Sequence, residues 1–350
     1  MLNPKALKYL LSFSIPASVA LSFYFDGLMS FFPMIYAFGF IPILEVILRT
    51  DPSNLNKLER ETAEEDKLFD WLLYLTVPIQ YIILIWFILL LGQEKPWSTE
   101  FFARILSFGL LCGVLGINVA HELGHRRNKS EQLLAKLLLF TSLYAHFFIE
   151  HNQGHHKHVA TEEDPATARR NEWLYFFWIR SIIFSFISAW KIEIKNLKSK
   201  GLSFFSLKNE MLVFMMIQFS MVALVFIFSS WQVGVGFVMA AGFGALLLET
   251  VNYIEHYGLL RQKVSNNRYE DVRPMHSWNS NHLVGRVMLF ELTRHSDHHA
   301  NPHKKYQILE NHNENPQLPG GYPGMMLLSL IPPLFFWIMN PRLKRGLPSD

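Results

Sequence analysis

Residues 101–125 read FFARILSFGLLCGVLGINVAHELGH. Its first twenty residues are predominantly apolar, which is the length that a helix needs to cross a hydrocarbon core of about 30 Å. The next five carry His121 and His125, which lie four positions apart and so share one face of a helix. The stretch therefore predicts a membrane-spanning helix that ends in a pair of metal ligands.

The same apolar character extends through the rest of the chain. Half of its 350 residues are hydrophobic and only 17% are charged, against about 25% in soluble proteins. The net charge of +3 does not indicate a nucleic-acid-binding protein. We therefore expect an all-α, polytopic membrane protein that forms one integral-membrane catalytic domain over residues 1–350. The six predicted spans are residues 7–25, 27–48, 68–91, 101–120, 211–228 and 233–251.

Three other apolar stretches are shorter or carry charge: residues 133–149, 173–190 and 325–339. The first contains Lys136, the second contains Arg180, and the third contains two consecutive prolines. These features are typical of interfacial or re-entrant segments, so we expect none of the three to span the membrane.

Basic residues set the orientation of the spans. Residues 121–210 contain thirteen lysines and arginines, whereas the connections after the first, third and fifth spans contain almost none. Because basic loops stay in the cytoplasm, we expect both termini and the regions 121–210 and 252–350 on the cytoplasmic side.

Nine of the fifteen histidines fall in four clusters within these cytoplasmic regions. Their number exceeds the capacity of one ion and suits two, divided about five and four. Within each larger cluster, we expect the imidazoles to point in one direction. The predicted ligands, called the box histidines below, are His121, His125, His151, His155, His156, His256, His295, His298 and His299. The other six are expected to be ordinary polar residues: His146, His158, His276, His282, His303 and His312.

Two other functions use histidines in this way. The segment HELGH at residues 121–125 matches the motif of zinc metalloproteases, but such a site needs three ligands and one open position. A metal transporter would place ionisable residues in the middle of its spans, whereas Glu45, Asp70, Arg104 and Glu249 all lie near predicted span ends. Since zinc has no redox chemistry, a pair of irons that oxidises an apolar substrate is the favoured interpretation.

Five segments resemble the alkane 1-monooxygenase family of the membrane di-iron desaturase and hydroxylase superfamily. They are EHNQGHHKHVATEEDPATAR at 150–169, NYIEHYGL at 252–259, HSWNS at 276–280, RHSDHHA at 294–300 and PQLPGGYPGM at 316–325. The NYIEHYG segment separates this family from ordinary desaturases. The likeness runs from about residue 115 to 340, with departures from the usual family residues at Gln153, Glu162 and Thr293 that bear on substrate preference.

The resemblance implies that the box histidines hold two iron ions and that O2 is the co-substrate. It implies hydroxylation of the terminal methyl group of linear alkanes to 1-alkanols, in a bacterial inner membrane. Four carboxylates are expected to accept hydrogen bonds from the imidazoles: Glu122, Glu150, Glu255 and Asp297. The alternative within the superfamily is a xylene monooxygenase or a fatty-acyl desaturase or hydroxylase.

The resemblance also implies rubredoxin as the electron donor, reduced from NADH by a rubredoxin reductase. The iron of rubredoxin needs four cysteines, and this chain has only Cys112, so the rubredoxin must be a separate chain. Rubredoxins are usually acidic, so basic residues near the boxes are expected to dock it or else to contact anionic lipid. These residues are Arg126, Arg127, Lys129, Lys304 and Lys305.

Overall fold

A computed structural model describes residues 3–265, 268–312 and 314–346 of the chain. Residues 1–2 and 347–350, and with them the predicted placement of the two extreme termini, lie outside the described residues. The described chain is predominantly helical, as predicted, with one short hairpin of β1 (Lys263–Ser265) and β2 (Arg268–Tyr269). Its helices are α1 (Pro4–Tyr24), α2 (Gly27–Ile47), α3 (Lys57–Glu65), α4 (Leu68–Leu91), α5 (Thr99–Gly124), α6 (Lys129–Thr141), α7 (147–158), α8 (Leu174–Ser199), α9 (Glu210–Phe228), α10 (Trp231–His256), α11 (Leu283–Met288), α12 (His295–Ala300), α13 (Tyr322–Ser329) and α14 (Pro332–Gly346).

Seven of the described helices are long and apolar enough to cross a membrane: α1, α2, α4, α5, α8, α9 and α10. Six of them correspond to the predicted spans. The seventh is α8, which covers the stretch 173–190 that was expected to be interfacial, so the predicted count of six is not confirmed. The apolar stretch in the sequence ends at Trp190, so it predicted too short a helix. The helix continues for nine more residues to Ser199.

Helix α8 contacts the histidine-bearing regions near both of its ends. Close to its start, the indole of Trp178 donates to Thr250, six residues before His256 in α10. Close to its end, Asn196 donates to Gln153 in α7, and Glu193 accepts from the first backbone N–H of α9. Both ends of α8 therefore lie close to the histidine boxes.

The other two ambiguous stretches do not form single long helices. Residues 133–149 are divided between α6 and α7, and residues 325–339 between α13 and α14. Neither stretch is among the seven candidate spans of the described chain.

Helices α5 and α10, which end at the first histidine box and at His256, cross at very short distance. A Cβ atom built on Gly109 would lie 2.6 Å from the carbonyl oxygen of Ala240. A Cβ atom on Gly244 would lie 2.8 Å from the Cβ of Cys112. Small residues at a crossing let two membrane helices approach backbone to backbone, and here the approach fixes where His121 and His256 emerge.

We expect Gly109→Ala to destabilise the protein, because the added methyl would meet backbone that cannot move away. Gly242→Ala is the matched control, since its Cβ would have no neighbour within 4 Å. The midpoint of thermal unfolding in detergent should fall by several degrees for Gly109→Ala, in line with an overpacking cost of about 1–3 kcal/mol. Equal midpoints for both variants would contradict the close crossing.

Candidate metal centre

Four separate elements bring the box histidines to one end of the bundle. His121 lies in the last turn of α5, and His125 follows its end. The second box, which contains His151, His155 and His156, lies in α7. His256 is the last residue of α10, and the third box, which contains His295, His298 and His299, begins α12. All nine are brought together, with His156 half-buried and the others buried.

The ligand atoms of these histidines form two groups within which all atoms lie less than 4.8 Å apart. The first group contains five residues and the second contains four, which is the division expected for two ions. The first group is His121, His125, His151, His156 and His298, and the second is His155, His256, His295 and His299.

The expectation that each cluster points in one direction is wrong for two of the boxes. Residues 151–155 form a π-helical turn, which places residues five apart on one face. His151 and His156 therefore meet in the first group, with their Nε2 atoms 3.0 Å apart, while His155 turns into the second. In α12, His298 likewise joins the first group, and His295 and His299 join the second. The second and third boxes thus each contribute to both groups.

Several imidazole nitrogens lie as close to each other as two ligands of one metal ion. The Nε2 atom of His295 lies 2.8 Å from that of His299 and 3.2 Å from that of His256. In the first group, the Nε2 atoms of His156 and His298 are 3.2 Å apart. Other buried ring nitrogens, such as Nε2 of His121 and His125, have no hydrogen-bond partner in the described chain. Buried polar atoms without partners are costly, so this donor set fits metal ions.

The protonation states of the imidazoles favour metal binding as well. Burial, followed by the proximity of other imidazoles, holds the pKa values of His125, His151 and His298 well below the ordinary value. Metal binding requires the neutral imidazole. At neutral pH these groups are thus in the state that a metal ion needs, and imidazole ligands suit iron.

Two carboxylates contact the box histidines. Glu255 was among the four expected acceptors, and its Oε2 lies 3.2 Å from Nε2 of His295. Asp164 was missed, although its Oδ2 lies 2.9 Å from Nδ1 of His155. Burial alone would lower the pKa of His155, but this carboxylate raises it above its ordinary value. The only sequence signal for Asp164 was its place nine residues after His155, in the segment that continues the second box.

The other three expected acceptors have different partners in the described chain. Glu122 accepts from Arg126 and from the backbone N–H of Tyr306. Asp297 accepts from Lys304 and from the backbone N–H of Glu310, and so fixes the loop after α12. Within the described residues, neither hydrogen-bonds to a box histidine. Glu150 lines a small polar cavity beside His151 and His155, and its Oε1 has no hydrogen-bond partner in the part of the chain that the structure describes.

The six remaining histidines lie outside both groups. His303 contacts the backbone carbonyl of His125, 3.1 Å away, and His312 contacts Asp297. His158 and His276 pair with Glu163 and Glu270, His282 contacts Ser280, and His146 lines the small polar cavity.

Three of the five basic residues that were expected to dock rubredoxin form ion pairs within the chain. Arg126 pairs with Glu122 and Asp70, Lys305 also pairs with Asp70, and Lys304 pairs with Asp297. Their charge is therefore balanced internally, which sequence order did not reveal. Arg127 and Lys129 are exposed, and neither has an ion pair in the described part of the chain.

An apolar cavity runs from the helical bundle to the two histidine groups. Its volume is about 70 Å³. His121 and His151 of the first group and His295 of the second line it, together with Asn252 and Glu255. Apolar side chains make up most of the remaining wall: Ile15, Phe38, Ile41, Val114, Leu247, Leu248, Val251, Met288, Leu289, Leu292 and Met326.

The chain is similar in sequence to known proteins. The fatty acid desaturase family model matches residues 95–328. Alkane 1-monooxygenase 1 of Alcanivorax borkumensis is 41% identical over 91% of this chain and 78% of its own. The chain belongs to the alkane 1-monooxygenases of the fatty acid desaturase family. It is a membrane enzyme with histidine clusters that fit iron.

Two other relatives are also similar to this chain over most of its length. Alkane 1-monooxygenase of Ectopseudomonas oleovorans is 42% identical over 87% of this chain and 76% of its own. The hydroxylase component of xylene/toluene monooxygenase from Pseudomonas putida is 31% identical over 69% of this chain and 64% of its own. The resemblance inferred from the boxes is thereby confirmed.

We expect Asp164→Asn to weaken metal binding at the second group, because the variant loses the charge that orients His155. Replacing such a partner typically costs about 10–100-fold in metal affinity. Glu163→Gln is the control, since Glu163 is exposed and pairs with His158. Metal content after dialysis against a chelator should fall in Asp164→Asn and remain unchanged in Glu163→Gln. If both variants kept their full metal content, Asp164 would not support the site.

Proposed function

We propose that this enzyme hydroxylates the terminal methyl group of linear alkanes to give 1-alkanols. The reaction consumes O2, two electrons and two protons, and it releases water. The observation that carries the proposal is the apolar cavity, which ends at the imidazoles of both groups. The names of the relatives support an alkane as the substrate class.

The box histidines would hold two irons, five imidazoles at one and four at the other. The metal pair would supply the activation of O2, as cofactors generally supply the chemistry that side chains cannot. Glu255 faces the same cavity, and Tyr322 donates to its Oε1 at 2.6 Å. This hydrogen bond keeps the other carboxylate oxygen directed at His295. Apart from Asn118 and Asn252, the rest of the cavity wall is mainly apolar, so it disfavours water at the reacting end.

Geometry must decide which carbon is oxidised, because methylene C–H bonds are weaker than methyl C–H bonds. A narrow cavity admits an alkane end-on, and the terminal methyl then reaches the histidine end first. Each buried methylene contributes up to about 0.8 kcal/mol relative to water. The gain relative to a bilayer is smaller, since lipid already dissolves alkanes. The cavity therefore acts through shape more than through affinity.

The alkane would enter from the membrane. A second, more open cavity of about 470 Å³ lies between α2, α10 and α13 and shares Phe38, Leu247 and Met326 with the first. Its other lining residues are also mainly apolar and include Phe31 and Leu330. The three shared side chains separate this outer groove from the cavity that reaches the histidines, and they would form the narrow passage.

Electrons would come from a separate rubredoxin on the cytoplasmic side. An open depression reaches His125 and His156 of the first group from the surface, and the exposed Arg127 lines it. A small acidic donor seated there would come close to two ligands of the metal pair. Of the expected docking residues without an ion pair in the described chain, Arg127 is the one that lines this depression.

The distribution of basic residues supports an inner-membrane protein with the histidine end in the cytoplasm. In this arrangement six helices span the membrane, and α8 lies along its cytoplasmic surface. The contacts of both ends of α8 with the histidine-bearing regions support this placement.

The proposal is tested with purified protein loaded with iron and supplied with octane, a rubredoxin, its reductase and NADH. We expect almost entirely 1-octanol, and no turnover when rubredoxin is left out. A mixture rich in 2- and 3-octanol would contradict the end-on cavity. An alkene, or benzylic alcohol formed from xylene in preference to 1-octanol, would favour the alternatives within the superfamily.

The variant Leu247→Trp tests the narrow passage in the same assay. The larger ring should lower kcat/KM for hexadecane by roughly tenfold or more, since overfilling a packed wall is poorly tolerated. The position of oxidation and the iron content should stay unchanged. Leu224→Trp is the control, because Leu224 is exposed on α9. An unchanged kcat/KM in Leu247→Trp would show that the alkane takes another route.

A further inference from the structure

A second groove, lined by none of the box histidines and sharing no residue with the alkane cavity, lies between α6, α8 and α9. It has a volume of about 670 Å³ and is open on one side. Helix α9 begins in it at Glu210 and is the most apolar of the seven candidate spans, with only 11% of its most apolar window buried. A helix so little covered by protein faces lipid along most of its length. The groove therefore lies at the height where the chain enters the membrane.

The rim of this groove is basic. Lys129, Lys200 and Lys208 line it, all three are exposed, and none forms an ion pair in the described chain. The two carboxylates of the groove are already engaged. Glu210 pairs with Lys136, and Glu193 accepts the backbone N–H of Glu210 at 2.9 Å. The three exposed lysines thus have no ion pair in the described chain, and the groove carries a net positive charge.

The deeper wall of the same groove is apolar. Phe140 and Phe214 form its buried floor, and Ile217 continues this surface along α9 in the direction of the membrane. At the edge, Leu133 is 56% exposed and Leu207 is 81% exposed. Apolar side chains grouped in this way mark a surface that contacts another apolar body. The groove thus joins a basic rim to an apolar channel.

We propose that this groove binds an anionic phospholipid. The headgroup phosphate lies among Lys129, Lys200 and Lys208, and one acyl chain runs along Phe214 and Ile217. Clustered lysines at the cytoplasmic surface attract anionic headgroups, and long basic side chains suit this boundary because they extend from apolar surface into the headgroup layer. An acidic protein would satisfy the lysines but would leave the apolar channel unfilled.

Lipid selectivity tests this site directly. The protein is reconstituted into phosphatidylcholine vesicles that contain a trace of spin-labelled phosphatidylglycerol or spin-labelled phosphatidylcholine, and the motionally restricted fraction is measured. We expect preference for phosphatidylglycerol of roughly threefold or more, falling close to equality in Lys129→Gln/Lys200→Gln/Lys208→Gln. The matched control is Lys57→Gln/Lys67→Gln/Lys263→Gln, which removes the same charge from exposed lysines elsewhere and should keep the preference. The corresponding triple arginine variant should also keep it.

Two results would overturn the proposal. One is an unchanged preference in the groove variant. The other is a loss of preference that is equal in the groove variant and in the control, which would indicate net charge alone. If the groove variant instead raised KM for rubredoxin and kept its lipid preference, the lysines would form a protein-docking surface. Neither the assay nor its outcome depends on which substrate the enzyme oxidises.

Discussion

Nine imidazoles converge in one largely buried space, and much of this fold serves to hold them there. Nε2 of His295 is 2.8 Å from that of His299, and Nε2 of His151 is 3.0 Å from that of His156. Four separate elements must arrive at one point for these contacts to form. The close crossing of α5 and α10 positions two of the elements, and the carboxylates of Asp164 and Asp297 hold the other two.

The predictable parts of this architecture are those that depend on short, continuous stretches of sequence. Apolar runs of about twenty residues gave six of the seven long helices, and histidine spacing gave the nine box residues that converge. Hydropathy could not decide the position of α8, because it measures composition and not which side of a helix meets protein. Ideal helical geometry misplaced His155, because the π-helical turn at 151–155 changes the face on which each residue lies.

Contacts between residues that are far apart in the chain were the other feature that the sequence did not predict. Asp164 reaches His155 through the turn that follows the second box, and Arg126 and Lys305 both meet Asp70 of α4. These pairs depend on how distant elements pack, so residue type alone assigned Glu122 to the imidazoles and Arg126 to an electron donor. The structure corrects both assignments. The division between the two groups of histidines has the same origin, because α7 and α12 each lie between them.

The metal content of the purified protein, combined with its Mössbauer spectrum after growth on ⁵⁷Fe, tests the two-iron site most directly. We predict two irons per chain in two distinct environments, because five imidazoles surround one position and four surround the other. His125→Ala and His256→Ala should perturb different components of the spectrum, since the two residues belong to different groups. A single iron, bound zinc, or two components that respond identically to both variants would contradict it.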